Sequence, residues 1–236
     1  LAGGDQRFER LEPGDTFTID SDRLVFLTRR ITVLTEQAEV WQPPLPVPIR
    51  SSLQEQHKRA AAIAARLRQL DAHKGYLFLS QPQNEIVTPD QFTVFSAAHE
   101  IAASFARGNR AGFMQASASL IGSGGGLTPS GDDFLTGFLL YHFRRALPTG
   151  VRHNSLGEWC VELSGVAFQK TTTISANRLM FTRRGWSEDI FLTLIDHYFD
   201  PVVPFGDDLI QLLTEIGHSS GVDTFMGIDY AIRSLG

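Results

Sequence analysis

The stretch Pro43-Pro44-Leu45-Pro46-Val47-Pro48 divides the chain. Four prolines in six residues fix φ and remove backbone donors, so the stretch is extended, cannot be helical and makes a natural boundary. Ahead of it, Thr16-Phe17-Thr18-Ile19, Leu24-Val25-Phe26-Leu27 and Ile31-Thr32-Val33-Leu34 are short β-prone runs separated by charged turns. Behind it the period changes. Ser52 with Glu55 three residues on forms a capping box, and Ala60, Ile63, Ala64, Leu67 and Leu70 then recur at helical spacing up to Gly75. The expected fold is α+β. A small β-rich part over residues 1–50, truncated at its start, precedes a mainly α-helical domain over 51–236 with two glycine-loop helix starts.

Within the second part, Tyr76-Leu77-Phe78-Leu79 reads as one buried strand. Asp90 begins a helix with Phe92, Phe95, Ala98, Ala102 and Phe105 on its core face, closed by Gly108. A shorter helix covers 110–121. Further helices are expected near 132–147, 156–183, 187–199, 207–216 and 222–234. Ser155 with Glu158 is a second capping box, and Ser187-Glu188-Asp189 an acid-first helix start.

Composition narrows the function classes. With 236 residues, 42% of them hydrophobic, the chain can bury the core of one large domain or two small ones. A net charge of −5 without a basic stripe argues against nucleic acid. No apolar run approaches the roughly 20 residues that a membrane span needs. The single cysteine, Cys160, excludes an internal disulfide framework and Cys/His metal sites, fits a reducing cytoplasm, and reads as a small buried hydrophobe. The chain opens on Leu1 rather than a methionine, which leaves room for a removed targeting segment.

The chemistry-bearing stretch is Ile121-Gly122-Ser123-Gly124-Gly125-Gly126-Leu127-Thr128-Pro129-Ser130-Gly131-Asp132-Asp133. A dinucleotide fingerprint would need glycine where Leu127 stands, and a Walker A loop would need a lysine. What fits is a general anion site. Gly124, Gly125 and Gly126 let the backbone turn and expose N–H groups, and Ser130, as N-cap, starts a helix whose positive end faces the loop. A solvated linker followed by a well-capped helix fits the local composition equally well.

An echo favours the site. Ser130, Gly131, Asp133 and Gly137 recur at a constant offset of 90 as Ser220, Gly221, Asp223 and Gly227. Acid and glycine four residues apart share a helix face. If the two helices cross at Gly137 and Gly227, both aspartates face one pocket. There they can bind a cation such as Mg²⁺, move a proton, or hold an amide N–H of a ligand. The bland alternative is that each acid only complements its helix dipole.

Thr128, Asp132, Ser219, Ser220 and Gly221 belong to the same two loops as candidate ligand contacts. Thr171-Thr172-Thr173-Ile174-Ser175 should bend or break its helix, and Thr171, Ser175 and Arg178 share a face that suits an anion. Threonines at a kink and a surface-paired arginine would look the same. His218 beside the second motif is a candidate acid/base group, or simply a solvated loop histidine.

At "GSGGGLTPSGDDFLTGFLL", "TTTIS" and "GHSSGVDTFMG" the chain resembles the AllH-type oxamate carbamoyltransferase subunits, from about residue 95 onward and only loosely before it. In that family proline often stands where this chain has Gly125, a departure expected to loosen the loop without removing its amides. The resemblance implies a subunit of a multi-protein enzyme that converts oxalurate and phosphate to oxamate and carbamoyl phosphate in allantoin nitrogen use. It also implies an acyl-CoA-synthetase-like partner and a further family-specific subunit. Three classes of function stay open: a transferase subunit with a small-anion pocket, a non-catalytic metabolite-binding or scaffolding module, and a metal-dependent hydrolase using Asp132, Asp133 and Asp223.

Overall fold

The computed structural model describes residues 10–12, 14–39, 41–86, 88–149 and 154–236. Residues 1–9 of the expected β-rich part lie outside this set. The chain divides into two units, Leu1–Gln42 and Pro43–Gly236.

The first unit carries a three-stranded antiparallel meander, β1 (Thr18–Asp20), β2 (Arg23–Phe26) and β3 (Ile31–Leu34). Thr18 stands opposite Val25, and Leu24 opposite Val33. All three strands fall on the β-prone runs. Arg29, after β2, is clamped by Asp15 at 2.7 Å and Glu12 at 2.5 Å, which ties the entry segment to the sheet's turn.

The second unit is helical: α1 (Leu53–Asp71), α2 (Pro89–Ala106), α3 (Arg110–Leu120), α4 (Ser130–Ala146), α5 (Asn154–Lys170), α6 (Thr173–Thr182), α7 (Asp189–Phe199), α8 (Asp207–Glu215) and α9 (Ser220–Arg233). Its first two starts are chemically explicit. Ser52 and Glu55 close a capping box on α1, and Thr88 and Gln91 another on α2, where Pro89 takes the first helical position. The proline-rich stretch has no regular structure and is pinned by Arg144, which donates to the Pro44 carbonyl at 2.9 Å.

Two helices form the centre. From Gly131 to Arg144 every residue of α4 is buried, and from Gly221 to Ile232 every residue of α9. A helix buried on all sides must find a partner for each charge it carries. In α4, Arg144 pairs with Asp196 of α7 at 3.1 Å. The other helices cover this pair: α3, α6 and α7 lie against α4, while α1, α2, α7 and α8 lie against α9.

Several expectations are corrected. Tyr76–Leu79 is not a strand but part of a 3-10 helix, Gly75–Ser80. Tyr76, Leu77 and Leu79 are buried as expected, yet among the described residues no strand lies beside them, and Gly75 turns the chain at φ +49°. The 156–183 helix is two helices: the hydroxyl run breaks it, and the Thr172 side chain caps α6 by accepting from the Ser175 amide. Ser155 lies inside α5, already helical at Asn154, rather than at its cap. Pro129, not Ser130, occupies the N-cap of α4. Phe95 is core and Phe105 packs against it, but Phe92 is half exposed; Leu70 at the end of α1 is also exposed.

Candidate functional site

The pattern repeated at offset 90 is a structural repeat. Each copy is a helix, a loop and a buried helix: α3 to α4, and α8 to α9. In both, the glycine after the serine sits against the end of the preceding helix. A Cβ on Gly131 would stand 2.8 Å from the Leu120 carbonyl carbon, and one on Gly221 would stand 2.9 Å from that of Leu213. The two buried helices then cross at the later glycines. A Cβ on Gly137 would meet the Thr224 carbonyl carbon at 2.9 Å, and one on Gly227 would meet the backbone of Phe134 and Phe138 at 2.8 Å. Only hydrogen at these positions lets backbone lie on backbone.

Crossing at Gly137 and Gly227 brings the two N-terminal turns together. Thr128 and Ser220 share a hydrogen bond of 2.9 Å, and Ser130 meets Ser219 at 3.4 Å, so hydroxyls bridge one helix start to the other. Beneath them lie Asp133 and Asp223, both fully buried. Each interacts with hydroxyls of the other copy: Ser220 faces Asp133, and Ser130 faces Asp223. The two carboxylates are close enough to repel one another. Each also keeps one oxygen, Oδ2, buried without a hydrogen-bond partner. Orphaned carboxylate oxygens are costly and call for a cause.

The remaining partners differ. Arg178 of α6 pairs with Asp133 Oδ1 and, at 2.9 Å, with Glu188. Asp223 Oδ1 accepts the Tyr76 amide at 2.6 Å. Burial pushes the Asp133 carboxyl up to about 7, against the Arg178 charge and the Ser220 hydroxyl that favour ionisation. Burial raises Asp223 as well, against the Ser130 and Ser219 hydroxyls, the Tyr76 amide and the His218 charge. His218 itself is exposed.

Asp132 has a different task. Its Oδ1 accepts the Gly122 amide at 2.9 Å and its Oδ2 accepts the Thr171 hydroxyl, so both oxygens hold the loop and the α5–α6 break together. Thr172 donates to the Leu127 carbonyl at 2.5 Å, fastening the same loop from the same side. Ser175 is buried and its hydroxyl has no partner. In the first turn of α4, Gly131 donates to the Ser123 carbonyl, and Asp132 and Asp133 both donate to the Pro129 carbonyl. The amides from Gly124 to Thr128 form no hydrogen bond among the described residues. Gly124 and Gly126 take positive φ; Gly125 does not, and a Cβ there meets open space. Neither a left-handed backbone nor a steric clash therefore bars a side chain at that position.

Sequence reasoning missed Gly75, Tyr76 and Glu188. Tyr76 supplies its amide to Asp223 and its hydroxyl to Ser123 at 2.8 Å, linking the two copies from outside either motif. Gly75 was the available signal. A Cβ there would stand 2.9 Å from the Asp223 carboxyl carbon, so only glycine admits the acid.

Among the described residues no three His, Cys, Asp or Glu side chains gather as a metal site. Asp132, one of the three acids expected of a hydrolase, has both oxygens committed. Among the described residues no helix is long and apolar enough to cross a membrane.

Fold and site together define a mainly helical protein built on an internally repeated helix–loop–helix with paired buried carboxylates. The family model for "Oxamate carbamoyltransferase subunit AllH" matches residues 120–232, a span that opens at the end of α3 and takes in both copies of the motif. Over that span the chain is similar to the AllH family. No curated protein and no solved structure matches it.

Proposed function

We propose that this chain is the subunit of an oxamate carbamoyltransferase that receives the small anionic reactants at the crossing of α4 and α9. The observation that carries the proposal is the meeting of Asp133 and Asp223, each with an unsatisfied buried oxygen, under bridging hydroxyls and beside a loop with uncommitted amides. Phosphate or an oxo-acid carboxylate suits the loop amides of 124–128. The paired acids suit the carbamoyl NH₂ and the proton that must move.

In that reaction a phosphate oxygen attacks the carbamoyl carbon, the carbon–nitrogen bond to the oxamate moiety breaks, and the departing nitrogen takes a proton as phosphate loses one. A carboxyl whose proton affinity lies near neutrality can accept the one and return the other, and Asp133 is raised to about 7. Loop amides would stabilise negative charge developing on the carbonyl or phosphate oxygens. The family name supports a subunit of a larger enzyme, so the chain is expected to act with partners, an acyl-CoA-synthetase-like subunit and a second family-specific subunit among them.

The test is reconstitution. The chain alone should not form carbamoyl phosphate from oxalurate and phosphate, and should do so with its partners. Asp223→Asn should cut that turnover by about 100-fold or more while leaving the fold intact. Undiminished turnover by both Asp133→Asn and Asp223→Asn complexes would refute the proposed role of the acids. A second reading draws on the closure of the hydroxyl layer over the acids: a non-catalytic module in which Ser–Asp contacts only order the helix starts. It predicts full turnover by complexes carrying either variant.

A further inference from the structure

A polar cavity lies between α1, the Gly75–Ser80 helix and the C-terminal part of α9. Its volume is about 190 Å³, and its polar lining consists of His57 and Arg68 from α1, Ser80 from the 3-10 helix, and Asp229 and Arg233 from α9. Two alanines of α1 complete the floor. At roughly 30 Å³ per water molecule the space equals about six waters, and it lies below the range of about 300–1,000 Å³ typical of drug-sized ligands.

The charges do not cancel. Asp229 is buried and pairs with Arg233 one helical turn on. The Arg233 guanidinium also stacks 4.7 Å from the Tyr230 ring centroid. Arg68, by contrast, has no carboxylate partner among the described residues. One of its nitrogens donates to the Ser80 hydroxyl at 2.6 Å and, more weakly, to the Ser80 carbonyl at 3.5 Å. Ser80 in turn donates to the Leu77 carbonyl at 2.7 Å, which orients its lone pairs toward Arg68. The arginine head is thereby fixed at the cavity wall with donors left over. His57 lies 3.2 Å from the Ile232 carbonyl through Nε2, so that nitrogen carries the hydrogen. Two arginines against one carboxylate leave the lining one positive charge in excess.

We propose that this cavity binds a small oxyanion, a phosphate or short carboxylate, held between Arg68 and Arg233. A planar guanidinium presents forked donors that match such an oxyanion, and one already anchored by Ser80 loses little freedom on binding. The site is separate from the α4–α9 crossing and stands whether or not that region is catalytic.

The test uses the full ¹⁵N-labelled chain titrated with inorganic phosphate, following backbone amide shifts. A saturable shift is expected at residues 57–68, 80 and 229–233, with its own midpoint, apart from any at 122–133. Arg68→Gln should weaken that midpoint by about tenfold or more, the worth of a charge-assisted contact. Asp229→Asn should tighten it, because it removes the opposing charge without shortening the side chain. No saturable shift at these amides, an unchanged midpoint in Arg68→Gln, or no tightening in Asp229→Asn would each overturn the proposal.

Discussion

Replacing Gly227 by alanine tests the helix crossing on which the site depends. The new Cβ would stand 2.8 Å from the carbonyl carbon of Phe134 and the amide nitrogen of Phe138, and nearer still to the Phe134 oxygen. All three are backbone atoms in the buried stretch of α4, Gly131 to Arg144, so no side chain can rotate out of the way. Carbon–carbon contacts are most favourable near 3.5–4.0 Å, so the helices must part by on the order of 1 Å at their point of closest approach. Overpacking of this kind costs about 1–3 kcal/mol, and more where only backbone can move. Alanine returns about 1 kcal/mol of helix propensity. The net loss should therefore be about 2 kcal/mol, or about 4–8 °C in Tm for a unit of this size. Gly165, exposed in α5 with open space at its Cβ, is the control: alanine there should stabilise by about 0.4–1 kcal/mol. Urea unfolding of the two variants reads both numbers. A Gly227→Ala protein as stable as wild type would show that the helices do not rest backbone on backbone, and the paired acids would lose their reason to meet.

The other expectations concern the acids. Asp133 is raised from 3.8 to about 7 chiefly by burial, so the folded state holds its proton more tightly than the unfolded chain. Its contribution is favourable below about pH 4 and is lost as pH rises toward 7, so wild type should lose stability relative to Asp133→Asn across that window. Urea midpoints at pH 4.5 and 7.5 measure it, and parallel profiles for the two proteins would contradict the raised affinity. Asp132→Ala should destabilise by about 2 kcal/mol or more, since it strips both the Gly122 amide and the Thr171 hydroxyl of their acceptor. Exchange should then quicken at the hydrogen-bonded amides of residues 121–123 and 131, and unchanged protection there would argue that Asp132 does not hold the loop.

Much of this protein was legible from local chemistry. The proline stretch, the Ser52–Glu55 box and the β-prone runs before residue 35 state their structure within a few residues, because capping, φ restriction and side-chain alternation are short-range effects. The Ser-Gly-x-Asp-x-x-x-Gly echo went further and foretold that two helices cross at Gly137 and Gly227, because a glycine needed for close approach leaves its mark at both contacts. What local chemistry could not decide was where the hydrogen bonds of each polar group end. Asp132 and Asp133 are neighbours in the chain and equally buried, yet one ties up the glycine loop while the other faces Ser220 and Arg178. Ser130 resembles a cap by composition, but the tertiary packing sets it against Ser219 instead. Tyr76–Leu79 has the composition of a strand but no strand beside it among the described residues, and its first amide goes to Asp223, 147 residues away. Composition dictates which groups need partners; only the packing of α4 on α9 determines which partners lie within reach.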